Sequence, residues 1–387
     1  MPVWLAFRNL AQSKVRTLVG VAGVSFAVVL LFFQIGMVLS TARTATLVYR
    51  ALDFDLLIRS KSYSEFSDAR SFPIQRLRQA ASVGETESTV PVYLGTGEWK
   101  HPTESRYRVI QIIGFRSSDK VFDRPHIQKT LSRIRLPKQV LIDEFSHPGF
   151  GQFQEVEGVK PTPRTTWLND QLVEVSGLFR LGAGFGADGT ILVNTRGFQR
   201  LNPGRSLDEP SLGLIKLKPG VDETEALRKI RSRLPTGDGG DVEVLTRQQV
   251  FDFETTLWLW YMPLGLIFIM GAGIACVVGV VIVYQVLASD VANRLPEYAT
   301  LKAIGYRDRF LAAVVIFQSM LLAVVGFLIG WSISIVLYRI TRDMARIPVE
   351  MTMMLGFGVA IAAIVICVGS GLAALKKLRA AAPADLF

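Results

Sequence analysis

The sequence predicts an α-helical membrane protein with four transmembrane helices and one α+β extracytoplasmic domain. Three observations predict it. Four long apolar blocks contain no Asp, Glu, Lys or Arg. The stretch between the first two, residues 41–257, has the mixed composition of a soluble protein. The chain carries a net charge of +10, and most of that excess lies beside the apolar blocks.

The first block is Thr17–Ser40, 24 residues without a charge. As a helix it spans about 36 Å, enough for a hydrocarbon core of about 30 Å. A secretory signal has an apolar core of roughly 7–15 residues, so the longer block reads as an uncleaved anchor. The other blocks are Trp258–Ala288, Phe310–Tyr338 and Met351–Leu375. A buried core helix is also apolar all round, but four such runs in one chain fit a membrane better.

Flanking charge sets the orientation. Arg8, Lys14 and Arg16 precede the first block, Arg294, Lys302, Arg307 and Arg309 lie between the second and third, and Lys376, Lys377 and Arg379 follow the fourth. These three segments (1–16, 289–309 and 376–387) hold 10 basic and 4 acidic residues, whereas 41–257 holds 30 and 27. The positive-inside bias therefore puts both termini and 289–309 in the cytosol. It puts 41–257 and the short loop 339–350 outside, the latter despite Arg339, Arg342 and Arg346. Charge that hugs membrane edges in this way is not a nucleic-acid stripe. Residues 1–16 place Val3, Trp4, Phe7, Leu10 and Ala11 on one helical face, an interfacial helix along the membrane. The two cysteines, Cys276 and Cys367, fall inside apolar blocks, so the outer domain has no disulfide framework, which is compatible with a bacterial periplasm.

Small residues recur in the spans. Gly326 and Gly330 form a GxxxG and Ala275 and Gly279 a similar pair, suited to close helix approach either within the chain or across a dimer seam.

Within 41–257, Val90–Trp99, Tyr107–Phe115, Leu172–Phe179, Thr190–Asn194 and Leu212–Lys218 read as strands. Pro219–Gly220 makes a turn. Asp222 caps a helix whose Ala226, Leu227, Ile230 and Leu234 give an apolar stripe, with Glu225 three residues after the cap. The pattern suggests two lobes, with the Pro/Gly-rich region 147–164 as a loop between them.

Chemistry is hard to find. Gly184-Phe-Gly186-Ala-Asp-Gly189 fits GxGxxG, but a strand-like TILVN follows where a dinucleotide site needs a helix. His101, His126 and His147 lack metal-ligand spacing. There is no GxSxG elbow and no GxxxxGK[ST] loop. No catalytic residue, cofactor or metal is expected. The spans hold no ionisable group of the kind that ion-coupled carriers use. If the chain moves anything, the work comes from another polypeptide.

That directs attention to the segment Ser289–Arg309. Pro296 suits the first position of a short helix, and Glu297 its first turn. Tyr298, Leu301 and Ile304 or Gly305 share a face, with Arg294, Lys302, Arg307 and Arg309 around it. Such a stub either docks a cytosolic partner or skims the membrane.

The layout of one span, a large outer domain and three more spans resembles the FtsX-like permease family, which includes the MacB-type exporters. LAFRNLAQSKVRT, RLPEYATLKAIGYRDRF and AALKKLRAAAPADLF are similar to its segments. SFPIQRLRQA, PVYLGTGEW, GLFRLGAGFGADGTILVN, GLIKLKPG and VVIVYQVLASDV extend the resemblance over nearly the whole chain to its DevC-type branch, permeases of heterocyst-glycolipid export. Ala382 departs from the family's usual aspartate before proline. The resemblance implies a homodimer in the cell inner membrane and a separate ABC ATPase docked on the cytosolic segment. Arg294, Pro296, Glu297, Tyr298, Leu301, Lys302, Ile304 and Gly305 would form the coupling surface. It further implies a periplasmic adaptor protein, an outer-membrane channel and an amphiphilic cargo such as a glycolipid. The same layout serves signalling subunits that activate an envelope hydrolase without transport.

Overall fold

The computed structural model describes residues 14–153, 164–182, 188–237, 239–293, 297, 300, 304–305, 308–345 and 349–380. The chain divides into two compact units, Met1–Thr41 with Leu259–Phe387, and Ala42–Trp258. Helix α1 (Lys14–Ala51) does not stop at Ser40. No Gly or Pro interrupts Thr41–Ala51, and two of its threonine hydroxyls bond back within the helix: Thr41 Oγ1 donates to the Met37 carbonyl at 2.9 Å and Thr46 Oγ1 to that of Ala42 at 3.3 Å.

The Ala42–Trp258 unit runs through β1 (Leu56–Ser60), α2 (Ile74–Ala81), β2 (Thr86–Lys100), β3 (Tyr107–Phe115), α3 (Pro125–Thr130), β4 (Gln139–Asp143) and β5 (Thr165–Leu168). It continues with β6 (Gln171–Phe179), β7 (Thr190–Asn194), α4 (Thr195–Leu201), β8 (Leu212–Leu217), α5 (Glu223–Arg233), β9 (Val242–Thr246) and α6 (Arg247–Thr256). The nine strands form one mixed sheet in the order β3-β7-β4-β6-β5-β2-β8-β1-β9, and β3 also pairs with β2. Six strands thereby close into a barrel. Its last seam, β2 to β5, is the single pair Trp99 with Leu168. The other three strands join β2 in an open antiparallel sheet, β9-β1-β8-β2.

Strand β2 belongs to both parts. Its first half pairs with β8 from Thr86 to Val92, its second with β3 from Tyr93 to Lys100. Pro91 sits on β2 where that strand is the edge of the open sheet, so its missing N–H interrupts no ladder there. Three cores follow. Leu56, Ile58, Ile215 and Val244 pack with Leu77 of α2 and Ala226, Leu227 and Ile230 of α5 on one face of the open sheet. Trp99, Ile110, Ile112, Val140, Val175 and Val193 are among the residues that fill the barrel cluster. Leu57, Leu214 and Leu212 join Tyr49 and Leu52 of α1, Phe115, Phe179 and Val250 in a third. β1 is buried along its whole length because both sheet faces are covered.

Asp222 caps α5, its Oδ2 accepting from the Glu225 N–H at 2.9 Å. The part of the 147–164 region that is described belongs to the barrel: it follows β4 and precedes β5, both barrel strands, so it does not join the two lobes.

The helical unit holds α7 (Pro263–Asn293), α8 (Asp308–Ala345) and α9 (Met353–Ala380) beside the first part of α1. All four helices are long and apolar enough to cross a membrane. The chain is therefore an α-helical membrane protein with four candidate spans and an α+β domain on a mixed sheet. Leu257–Tyr261 is a π-helical turn, and α7 proper begins at Pro263, whose ring cannot continue a preceding helix. The small-residue pairs are used within the chain. A Cβ on Gly326 would sit 2.6 Å from Val24 Cγ1, one on Gly330 2.7 Å from Val28 Cγ1, and one on Gly279 3.1 Å from Ala27 Cβ. These contacts make α1 the helix against which α7 and α8 close.

Candidate functional site

Two places combine polar side chains with a position where motion or a partner would act. One is the segment between α7 and α8. Helix α7 ends at Asn293, whose Nδ2 donates to the Ser289 carbonyl at 2.7 Å. Glu297 and Thr300 are helical and exposed. The Ile304 N–H donates to the Thr300 carbonyl at 3.1 Å. Gly305 then turns into the left-handed region at φ 102°, which ends a helical turn and favours glycine. Ile304 is 70% exposed, an apolar side chain held at a turn. Of the expected coupling residues, Glu297, Ile304 and Gly305 are thus placed on one short stretch, while Arg294, Pro296, Tyr298, Leu301 and Lys302 lie outside the described residues. The N-terminal interfacial helix, residues 1–13, and Ala382 lie outside them too.

At the root of this segment is an acid that lies within the expected 289–309 loop. Asp290 is helical, in the last turns of α7, and buried. Gln318 of α8 donates to its carboxylate through Nε2. A charge buried against a neighbouring helix is costly unless hydrogen-bonded, so this pair fixes α7 against α8 just before the chain leaves the bundle. A cavity of about 270 Å³ opens beside it, lined by Val15, Thr17, Gln285 and Leu322 among others. The signal was present in the sequence: Asp290 lies two residues beyond the last apolar residue, and one further helical turn buries it.

The second place lies in the Ala42–Trp258 unit, where the chain arrives on α1 and departs on α6. Arg59 on β1 is 1% exposed. Its guanidinium is stacked between the rings of Tyr63 and Phe253, 4.2 and 3.9 Å from their centroids. Its Nε is bonded to Glu243 of β9, and its Nη1 lies 3.7 Å from Oε1 of Glu254 on α6. Glu254 is fully buried. Tyr63 donates to it at 2.5 Å, and the Tyr63 and Tyr49 hydroxyls are 2.7 Å apart. A polar chain thus runs from α1 through Tyr49 and Tyr63 to α6.

Two carboxylates share one guanidinium here. Glu243 holds the direct bond, so burial dominates at Glu254 and pushes its carboxyl up to about 7, against the opposing pull of Tyr63 and Arg59. Burial likewise raises the hydroxyl pKa of both Tyr49 and Tyr63. Near neutral pH the cluster exchanges one proton between a neutral Arg59–Glu243 pair and a net negative triad. Alternation patterns could not find it, because Arg59 occupies a position that reads as a polar break in an apolar strand.

A third buried acid, Asp143 at the end of β4, accepts the backbone N–H groups of Leu181 at 3.0 Å, Gly182 at 2.7 Å and Phe145 at 3.3 Å. Burial raises it to about 6 despite those donors. It pins the start of the glycine-rich loop. In the former GxGxxG, Asp188 pairs with Arg108 at 2.7 Å, and Gly189 leads into β7; residues 184–187 lie outside the described residues. His147 accepts from the Gly149 N–H at 2.9 Å and His101 from the Glu104 N–H at 3.1 Å, both within their own loops, and His126 of α3 lies 3.1 Å from the Arg180 carbonyl.

Residues 258–383 match the family described as FtsX-like permease C-terminal. The match covers α7, α8, α9 and the segment between the first two. Solved structures similar to this chain include the extracellular domain of the noncanonic ABC-type transporter YknZ from Gram-positive bacteria. It is 15% identical, with a TM-score of 0.32, over 50% of this chain and 99% of that one. The periplasmic region of MacB from Actinobacillus actinomycetemcomitans is 10% identical, with a TM-score of 0.35, over 53% and 94%. A domain of a putative permease protein from Porphyromonas gingivalis is 16% identical, with a TM-score of 0.29, over 51% and 91%. No curated protein matches the chain significantly.

Proposed function

We propose that this chain is the membrane-spanning permease subunit of an ATP-driven export system of the FtsX/MacB type. The match of residues 258–383 to the FtsX-like permease C-terminal family carries the reading. The chain contains no phosphate-binding loop of its own, which agrees with ATP hydrolysis in a separate ABC ATPase subunit. That partner docks on residues 294–307, where Glu297, Ile304 and Gly305 are exposed. Residues 42–258 lie outside the cell inner membrane and both termini lie in the cytosol. The subunit works as a homodimer with a periplasmic adaptor protein and an outer-membrane channel, and the cargo is an amphiphile such as the glycolipid of DevC-type exporters.

The physical logic is mechanical. Helix α1 is continuous from Lys14 to Ala51 without an intervening loop. The Tyr49–Tyr63–Glu254 chain ties its far end to α6, the helix by which the polypeptide returns. The test is purification of the tagged full-length protein from native membranes, with identification of what accompanies it. An ABC ATPase with a coiled-coil adaptor supports export. A cell-wall hydrolase in place of the adaptor assigns the signalling role, and nucleotide turnover by the chain alone ends both readings.

A further inference from the structure

The end of the helical unit remote from the 294–307 connection carries a cleft of about 540 Å³ between the last turns of α8 and the start of α9. Trp331, Tyr338, Arg339 and Arg342 line it from one face of α8, at spacings that stack along a single helix side. Arg339 and Arg342 are exposed, and neither makes an ion pair among the described residues. Glu350 stands on the opposite wall.

Three observations converge on one ligand chemistry. The first is order along the helix. Trp331 lies eight residues before Arg339, about 12 Å deeper at 1.5 Å per residue. The cleft is therefore aromatic and apolar below and cationic above, the sequence of environments that a lipid presents from its chains to its headgroup. The second is charge. Arg339, Arg342 and Glu350 sum to +1, the complement of one phosphodiester monoanion. The third is an unsatisfied donor: Trp331 Nε1, on a side chain that lines the deeper end of the cleft, is buried without a hydrogen-bond partner among the described residues. The charge pattern that orients the rest of the chain disfavours arginines at this end, so their presence calls for a local partner.

We propose that this cleft binds the phosphodiester headgroup of a membrane phospholipid, with Arg339 and Arg342 clamping the phosphate. Guanidinium groups suit that task because they offer paired N–H donors to phosphate oxygens. The site goes beyond the export reading and stands whichever cargo moves, or if none does.

The test uses the purified, delipidated full-length chain titrated with phosphatidylglycerol and read by native mass spectrometry. Phosphatidylglycerol should bind at least tenfold tighter than a diacylglycerol of the same chains bearing an uncharged sugar. R339Q/R342Q should lose about tenfold or more of that preference, and R339K/R342K should keep most of the charge-dependent part. Millimolar inorganic phosphate should not displace the lipid; displacement would reassign the site to free anions. Equal binding of the two lipids, or an unchanged preference in R339Q/R342Q, would overturn the proposal and leave the arginines merely reaching for water. A photoactivatable phosphatidylglycerol on the wild-type chain provides a readout free of folding defects. Labelling should fall within residues 331–356, and labelling only elsewhere would refute the site.

Discussion

Raising the pH across neutrality should weaken residues 42–258 through one side chain. The Glu254 carboxyl is shifted from 4.5 to about 7 by burial. The folded unit thus keeps a proton between those values that the unfolded chain has already released. Stability from this group is full below about pH 4.5 and is lost as pH rises through 7. The shift of about 2.5 units, at about 1.36 kcal/mol each, amounts to roughly 3 kcal/mol. No large screening discount applies, because Glu254 is completely buried. Asp143 titrates with the same sign in an overlapping window, so the wild-type curve alone cannot isolate Glu254. Glu254→Gln removes the titration while keeping the shape. Urea unfolding of the 42–258 fragment, followed by its tryptophan fluorescence, to which buried Trp99 contributes, should be measured from pH 4.5 to 8. The stability difference, wild type minus Glu254→Gln, should fall by about 3 kcal/mol over that range. Parallel curves would refute the reasoning. A rising difference would mean that Arg59, at 3.7 Å, outweighs desolvation.

Other outcomes follow from the same geometry. Tyr63→Phe removes the hydroxyl that bonds Glu254, and should cost about 1.5–3 kcal/mol in the same assay at pH 8, less at pH 5 where the carboxyl is protonated. Asp143→Asn turns an N–H₂ toward the Leu181 or Gly182 N–H and should cost about 1–3 kcal/mol, with faster hydrogen exchange at those two amides. Gly36→Ala would bring a Cβ to 1.9 Å from the Tyr338 hydroxyl; thermal shift of the full-length protein in detergent should drop, consistent with about 1–3 kcal/mol of overpacking. Ile304→Asp or Glu297→Lys should leave that thermal midpoint within the scatter of surface substitutions, about 0.5 kcal/mol, yet abolish co-purification of the ATPase.

The strands that announced themselves in the sequence were those with long apolar or alternating runs. Tyr107–Phe115 and Thr190–Asn194 are found at the residues read, and Leu172–Phe179 begins one residue earlier, at Gln171. β4, β5 and β9, four or five residues long, are absent from the sequence reading, although β7 is no longer than β4 or β9. β1 was missed for a different reason, since Arg59 broke its apolar pattern and only the stacked rings and two carboxylates make burial tolerable. The break between the second and third spans was legible from its flanking charges. Its anchor was not, because Asp290 is polar by type and becomes interior only through Gln318, 28 residues away. Gly326 and Gly330 were recognised as close-approach positions, but sequence could not say that Val24 and Val28 of the same chain fill the space.

The shared strand β2 makes the two lobes inseparable as heritable parts. A chain cut or spliced between Val92 and Tyr93 would leave the barrel open along β3 and strip β8 of a neighbour, so neither fragment keeps a finished ladder. New specificities in such a domain must therefore arise by reshaping loops, or by exchanging everything from Leu56 to Thr246 at once.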